Sequence, residues 1–240
     1  MRNVLTIAQR ELVSYFTSPM AFVVTVFFLF FSGLIFTFSI YQRGATAEMR
    51  GLLGSMVFLT LMMAPFITMS LLAQERSSGT LELLLTKPVR DIEVVVGKYL
   101  GALGCYVTML ILTLQYPLLL SKYGDLDWGP AWVGYLGLLL AGGAFLAIGL
   151  FASSLTRSQM ASAGICLGVF LFVWLIGWVS HLVSGENSLL GDITKNISVF
   201  EIFGDFEKGL LDLKNIIYFL SLVFISLFMT VRVLEMRRQV

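Results

Sequence analysis

The chain has 240 residues, 58% of them hydrophobic and 13% charged, with a net charge of +1 and a mean hydropathy of +0.88. A water-soluble domain carries about twice that share of charge, so the solvent for most of this surface is lipid. The near-zero net charge argues against a nucleic-acid binder. Two cysteines inside apolar runs, Cys105 and Cys166, exclude a disulfide scaffold and read as small packing residues.

Residues 1–18 come first. Leu5, Ala8, Leu12 and Phe16 recur at helical spacing, with Arg2, Gln9 and Arg10 elsewhere around the wheel. That pattern predicts an amphipathic helix in the membrane interface, either a plain anchor or part of a partner surface. The first long apolar run starts near Met20 and is too long for a signal-peptide core, so no cleavage is expected.

Six runs reach the roughly 20 apolar residues that a spanning helix needs: 20–41, 52–73, 94–120, 132–153, 161–182 and 216–233. The predicted fold is all-α, a polytopic membrane protein forming one domain over 1–240. Pro19, after Thr17 and Ser18, marks the start of the first span. Pro65 and Pro117 lie inside spans and predict kinks. The third run exceeds a bilayer's thickness, so it projects into water or tilts. Six spans put both termini on one side. With that side inside, ten Lys/Arg lie inside and six outside, while the acids split six and nine. The bias predicts cytoplasmic termini.

Between the second and third spans lies a charged insert, residues 74–93. Thr80 can cap a short helix there, with Glu82 in its first turn and Leu83, Leu84 and Leu85 following. Lys87-Pro88 ends it, Gly79 frees the preceding turn, and Asp91 is expected to cap the next helix with Glu93 in its first turn. A glycine-broken, helix-sized insert among apolar runs points to a partner protein on that side.

Residues 183–215 form the sizeable external region. Phe200, Ile202, Phe203 and Phe206 alternate with Glu201, Asp205 and Glu207, which predicts one or two short amphipathic helices on the outer face. About 33 residues without cysteine are too few for a free-standing core. In spans four and five, Gly137, Gly142, Gly143, Gly149, Gly164 and Gly168 predict close helix approach, as fixed packing or as a sliding surface.

The chemistry of the chain is sparse. No phosphate-binding Gly-x-x-x-x-Gly-Lys-Ser/Thr sequence occurs. The sole histidine, His181, neighbours Ser180 and Ser184 but has no orienting acid, and reads as a polar anchor rather than a catalyst. The methionines are scattered and do not form a soft-metal path. No span holds a carboxylate near its middle, as an ion-coupled carrier would, and Gln115 is the main polar residue there. Energy must come from elsewhere, which with the insert points to a separate ATP-hydrolysing subunit.

The run Glu75-Arg76-Ser77-Ser78-Gly79-Thr80-Leu81-Glu82-Leu83-Leu84-Leu85-Thr86-Lys87-Pro88 resembles the cytoplasmic signature of the second family of ABC exporter permeases, Glu-(basic)-x-x-Gly-Thr-x-Glu-x-Leu-Leu-x-x-Pro. The layout of the whole chain is similar too. Phe203-x-x-Phe206-x-x-Gly209, followed by Tyr218 to Leu222, looks most like the branch of the gliding-motility permease, with the nitrous-oxide-reductase accessory permease a near relative. The resemblance implies a non-catalytic permease that binds no cofactor itself. ATP and Mg would sit on a partner nucleotide-binding ATPase, and a second copy or a similar permease would complete the assembly. It implies that 80–86 is a coupling helix entering a groove on the ATPase. The contacting set would be Glu75, Arg76, Gly79, Thr80, Glu82, Leu84, Leu85 and Pro88, with Arg157 and Ser158 of the loop between spans four and five as a second contact. The implied setting is the bacterial inner membrane, in contact with lipid. The implied activity is export of a lipidic or amphipathic cargo. The alternative is mechanotransmission to a periplasmic partner without a cargo. An intramembrane hydrolase built on His181 is the third reading.

Overall fold

The computed structural model describes residues 2–43, 49–79, 90–123, 126–183 and 198–238. They form ten α-helices and no strand: α1 (Arg2–Thr17), α2 (Pro19–Arg43), α3 (Arg50–Thr68), α4 (Ala73–Ser77), α5 (Asp91–Thr113), α6 (Gln115–Tyr123), α7 (Trp128–Leu155), α8 (Gln159–Val183), α9 (Val199–Glu207) and α10 (Leu213–Arg238). Five helical stretches are long and apolar enough to cross a membrane: Pro19–Tyr41, Arg50–Ser77, Asp91–Lys122, Trp128–Leu155 and Leu213–Met236. In α8 the apolar stretch is described over Gln159–Leu175. The protein is an all-α polytopic membrane protein.

The core is centred on α7, which lies against α3, α5, α8, α9 and α10. Its glycines set the spacing. A side chain at Gly134 would collide with Leu53, at Gly142 with Tyr106, and at Gly149 with Thr68. Leu53–Gly134, Thr68–Gly149 and Leu72–Ser153 advance together, so α3 and α7 run parallel. Tyr106–Gly142 and Thr113–Tyr135 advance oppositely, so α5 and α7 are antiparallel. In a lipid solvent such close approach supplies the packing that water expulsion cannot. Gly164 and Gly168 on α8, by contrast, have nothing within 4 Å. The small residues of α7 therefore pack within this chain, whereas these two of α8 do not. Cys105 and Cys166 are buried and free.

Tyrosine hydroxyls fasten α5 to α7. Tyr99 donates to the Gly143 carbonyl and Tyr106 to that of Leu138. Tyr135 donates to the Thr113 carbonyl at 2.9 Å, the acceptor that Pro117, having no N–H four residues on, cannot serve. The long third span breaks at Leu114, between α5 and α6. Pro65 lies within α3, which continues to Thr68, and residues 69–72 form the turns that lead into α4.

Helix α1 lies lengthwise against the first half of α5. Asn3 meets Glu93, Ile7 meets Gly97, and Leu12 meets Gly104. The two helices run parallel in near-constant register. Gly97, Gly101 and Gly104 form the groove, and a Cβ at Gly97 would come within 2.8 Å of Ile7. This splits the apolar stripe of α1. Ile7 and Tyr15 turn inward, while Leu5 and Phe16 stay exposed on a flank suited to lipid. Arg90, rather than Asp91, is the N-cap of α5. Its N–H donates to Glu93, which also accepts from Asn3. The cap thus lies one residue before the predicted one, because a glutamate three positions on from Arg90 closes the turn.

At the opposite end, α9 plugs the bundle. Ser198 caps it by accepting from the Glu201 N–H, and Gly209, at φ +80°, lets the chain turn out of it. Phe203 and Phe206 are fully buried. The Phe206 Cβ lies 2.7 Å from where a side chain on Gly137 would begin, and the Glu207 carboxylate abuts Gly54. Burial raises the Glu207 carboxyl to about 7 even though Lys208 and Arg50 pull the other way.

Candidate functional site

The site is the junction where α3 bends into α4, beside the start of α5 and the α7–α8 loop. The bend exposes backbone groups that no helix satisfies. Ser153 of α7 meets them: its hydroxyl accepts from the N–H groups of Leu72 and Ala73 at 3.2 and 3.1 Å and donates to the Met69 carbonyl. Ser153 is wholly buried, so this one side chain replaces water as the partner of the bend.

Arg76 reaches the other way. One guanidinium nitrogen donates to the carbonyls of Ser154 at 2.9 Å and Thr156 at 3.1 Å. These are the last carbonyls of α7, where the helix dipole is negative and a cation is favoured. Arg157 and Ser158 follow directly and are exposed. The structure thus brings the Glu75–Gly79 segment and the 157–158 loop together at one end of the bundle.

Glu75 points inward. Its carboxylate lies 2.9 Å from the ammonium of Lys98 on α5, and Glu11 of α1 holds the same ammonium at 2.7 Å. The Lys98 side chain is 2% exposed, those of Glu11 and Glu75 17% and 19%. A buried ammonium persists only when its charge is matched, and carboxylates from two other helices, α1 and α4, match this one. Tyr15, one turn beyond Glu11, donates to the Ile67 carbonyl at 2.7 Å. It ties α1 to α3 just before the bend.

Gly79 closes α4 at φ +69°, a conformation that costs other residues strain. Thr80, Glu82, Leu84, Leu85 and Pro88 lie outside the described residues, as does the whole segment 80–89. His181 falls in the last turn of α8, its side chain outside the description, and Ser184 lies beyond it.

Sequence reasoning missed Glu11, Lys98 and Ser153. Lys98 registers there only as one of the ten inner Lys/Arg. The signal was present: it is the single charge between Glu93 and Lys122, flanked by the glycines at 97 and 101 that seat α1. Glu11 likewise falls on the inward side of α1, between Ile7 and Tyr15.

The family comparison agrees with this architecture. Residues 5–221 match the family described as ABC-2 family transporter protein. No curated protein matches the chain. The match spans nearly the whole chain, including the Glu75–Gly79 junction and the helices fastened to it. The chain belongs to the ABC-2 transporter family, as a membrane subunit of an ABC transporter.

Proposed function

We propose that this subunit couples ATP hydrolysis by a separate nucleotide-binding ATPase, which holds the ATP and Mg, to export of a lipidic or amphipathic cargo. Residues 80–86 act as the coupling helix, and Leu84 and Leu85 enter the ATPase groove. Arg157 and Ser158 make the second contact. The single observation that carries this reading is the fastening of the segment's root. Glu75 is ion-paired to Lys98 and Arg76 grips the end of α7, so displacement at 80–89 passes at once to α1, α5 and α7. Closure of the ATPase dimer on ATP can then shift the permease between states by its difference in affinity for them. The uniformly apolar spans support an amphipathic cargo rather than an ion. The Lys/Arg bias supports an inner-membrane setting with cytoplasmic termini.

The test is co-purification in mild detergent with the ATPase encoded beside this gene. Wild type is expected to retain the ATPase and Leu84→Arg to lose it. If neither form binds an ATPase, the coupling assignment fails.

The assembly we favour is a homodimer through α8. Gly164 and Gly168 form a Gly-x-x-x-Gly face with open space before it, the pattern that lets two helices approach closely. Gly168→Leu is expected to shift the purified particle from dimer to monomer in mass photometry. An unchanged dimer rules out this face.

A specific observation favours a second reading, mechanotransmission. The helix that Arg76 grips at one end is the one that α9 plugs at the other. Motion could therefore reach the 183–215 region and a periplasmic partner. Cross-linking of that region to such a partner, with no cargo moved, would select this reading.

A further inference from the structure

Between α1, α2 and the α3–α4 bend lies a cavity of about 320 Å³, within the roughly 300–1,000 Å³ range of small-ligand sites. Arg10, Glu11, Glu75 and Lys98 line one side of it, and Met20 and Val24 the other. Tyr15, Ala21 and Cys105 also line a neighbouring cavity of about 140 Å³, which lies between α1, α2 and α5 along Met109 and Leu112. A charged chamber thus adjoins an apolar one, with Tyr15, Ala21 and Cys105 as the wall they share. The apolar chamber communicates with the bilayer, because Phe16, Phe22 and Leu112 on its rim are 47%, 59% and 45% exposed.

The charges decide what fits. Two cations and two carboxylates line the polar chamber, so its formal charge is zero. A plain anion would face Glu11 and Glu75, and a plain cation would face Arg10 and Lys98. A group bearing both charges meets neither penalty. Lys98 is already held by its two carboxylates. That leaves the Arg10 guanidinium as the partner for a phosphate, and the carboxylate side for an ammonium with N–H donors. The chamber sits where the apolar run of α2 begins, the depth at which headgroups lie.

We infer that the paired cavities hold one phospholipid with an ethanolamine headgroup. The head occupies the charged chamber and one acyl chain passes Tyr15 into the apolar one. The bound lipid braces α1 against α2 across the joint at Ser18. The site does not rest on the coupling reading, since it needs neither the ATPase nor residues 80–89.

The test uses the purified, delipidated full-length chain offered equal amounts of phosphatidylethanolamine, phosphatidylcholine and phosphatidylglycerol, read by native mass spectrometry. Retention of the ethanolamine lipid is expected to exceed the other two by roughly tenfold, the scale of one charge-assisted hydrogen bond. Phosphatidylcholine lacks the N–H donors and phosphatidylglycerol the amine. Arg10→Glu and Ala21→Trp should each abolish that preference without changing the melting midpoint in lipid-free detergent. Leu112→Trp, at the outer end of the apolar chamber, serves if Ala21→Trp does not fold. Equal retention of the three lipids would overturn the proposal, as would full retention by the tryptophan variant that folds. Competition by free glycerophosphoethanolamine as strong as by the lipid would overturn the acyl-chain assignment.

Discussion

The two ends of this bundle are held by different physics. At the junction end, charge and directed hydrogen bonds do the fastening: Lys98 between Glu11 and Glu75, Arg76 on the last carbonyls of α7, Ser153 in the α3 bend. At the plugged end, shape does it. Phe203 and Phe206 of α9 fill the space left by Gly137, and Glu207 fits beside Gly54. A polar fastening is selective in direction and fails sharply when one partner is lost. A shape fastening yields by degrees, because a displaced aromatic ring can repack at a cost set by volume.

Removing the central cation should break the comparison most sharply. Lys98→Met leaves Glu11 and Glu75 facing each other in a buried site. A loss of about 3–5 kcal/mol is expected, as for other buried pairs stripped of one partner, read as a fall in the thermal midpoint in detergent. Adding Glu11→Gln and Glu75→Gln to Lys98→Met should restore much of it. A single variant as stable as wild type would show that the cluster is not fastening α1 and α4.

Overpacking the plug is the next test in size. Gly137→Leu forces Phe206 out of its place, at a cost of about 1–3 kcal/mol. Proteolysis across α9 should accelerate while hydrogen exchange in α4 stays as in wild type. Exchange that rises equally at both ends would mean that the two fastenings are one cooperative unit.

The smallest effect is a pH dependence confined to the plug. The docked Glu207 carboxyl sits near 7, against an ordinary value of 4.5, chiefly because burial disfavours its charge. The docked state therefore holds a proton that the undocked chain releases. Docking is strongest below pH 4.5, weakens as pH rises to about 7, and is flat above. Glu207→Gln should remove this slope and tighten the plug at neutral pH, as measured by hydrogen exchange of α9 at a series of pH values. A slope that survives the substitution would assign the titration to another group.

The same division governs what could be read in advance. Membrane residence and the all-α class were legible, because twenty consecutive apolar residues admit few other structures. The amphipathic character of α9 showed in the alternation from Phe200 to Glu207. The glycines of α7 announced close approach but not their partners, since a missing side chain does not say which neighbour fills the gap. The family signature includes Glu75 and Arg76, which lie at the junction. It did not reveal that Glu75 turns inward to Lys98 or that Arg76 caps α7.

The sequence by itself determined the solvent, the helices and the family, because each is written in local composition or in a contiguous run. Tertiary structure alone decided that Glu11, Glu75 and Lys98 meet, although 64 residues separate Glu11 from Glu75 and 23 separate Glu75 from Lys98. It also decided that Ser153 serves a bend 80 residues away. The physical reason is that a buried charge or an open backbone group states a need but not its partner. The partner is chosen only when the helices pack and set the register between them.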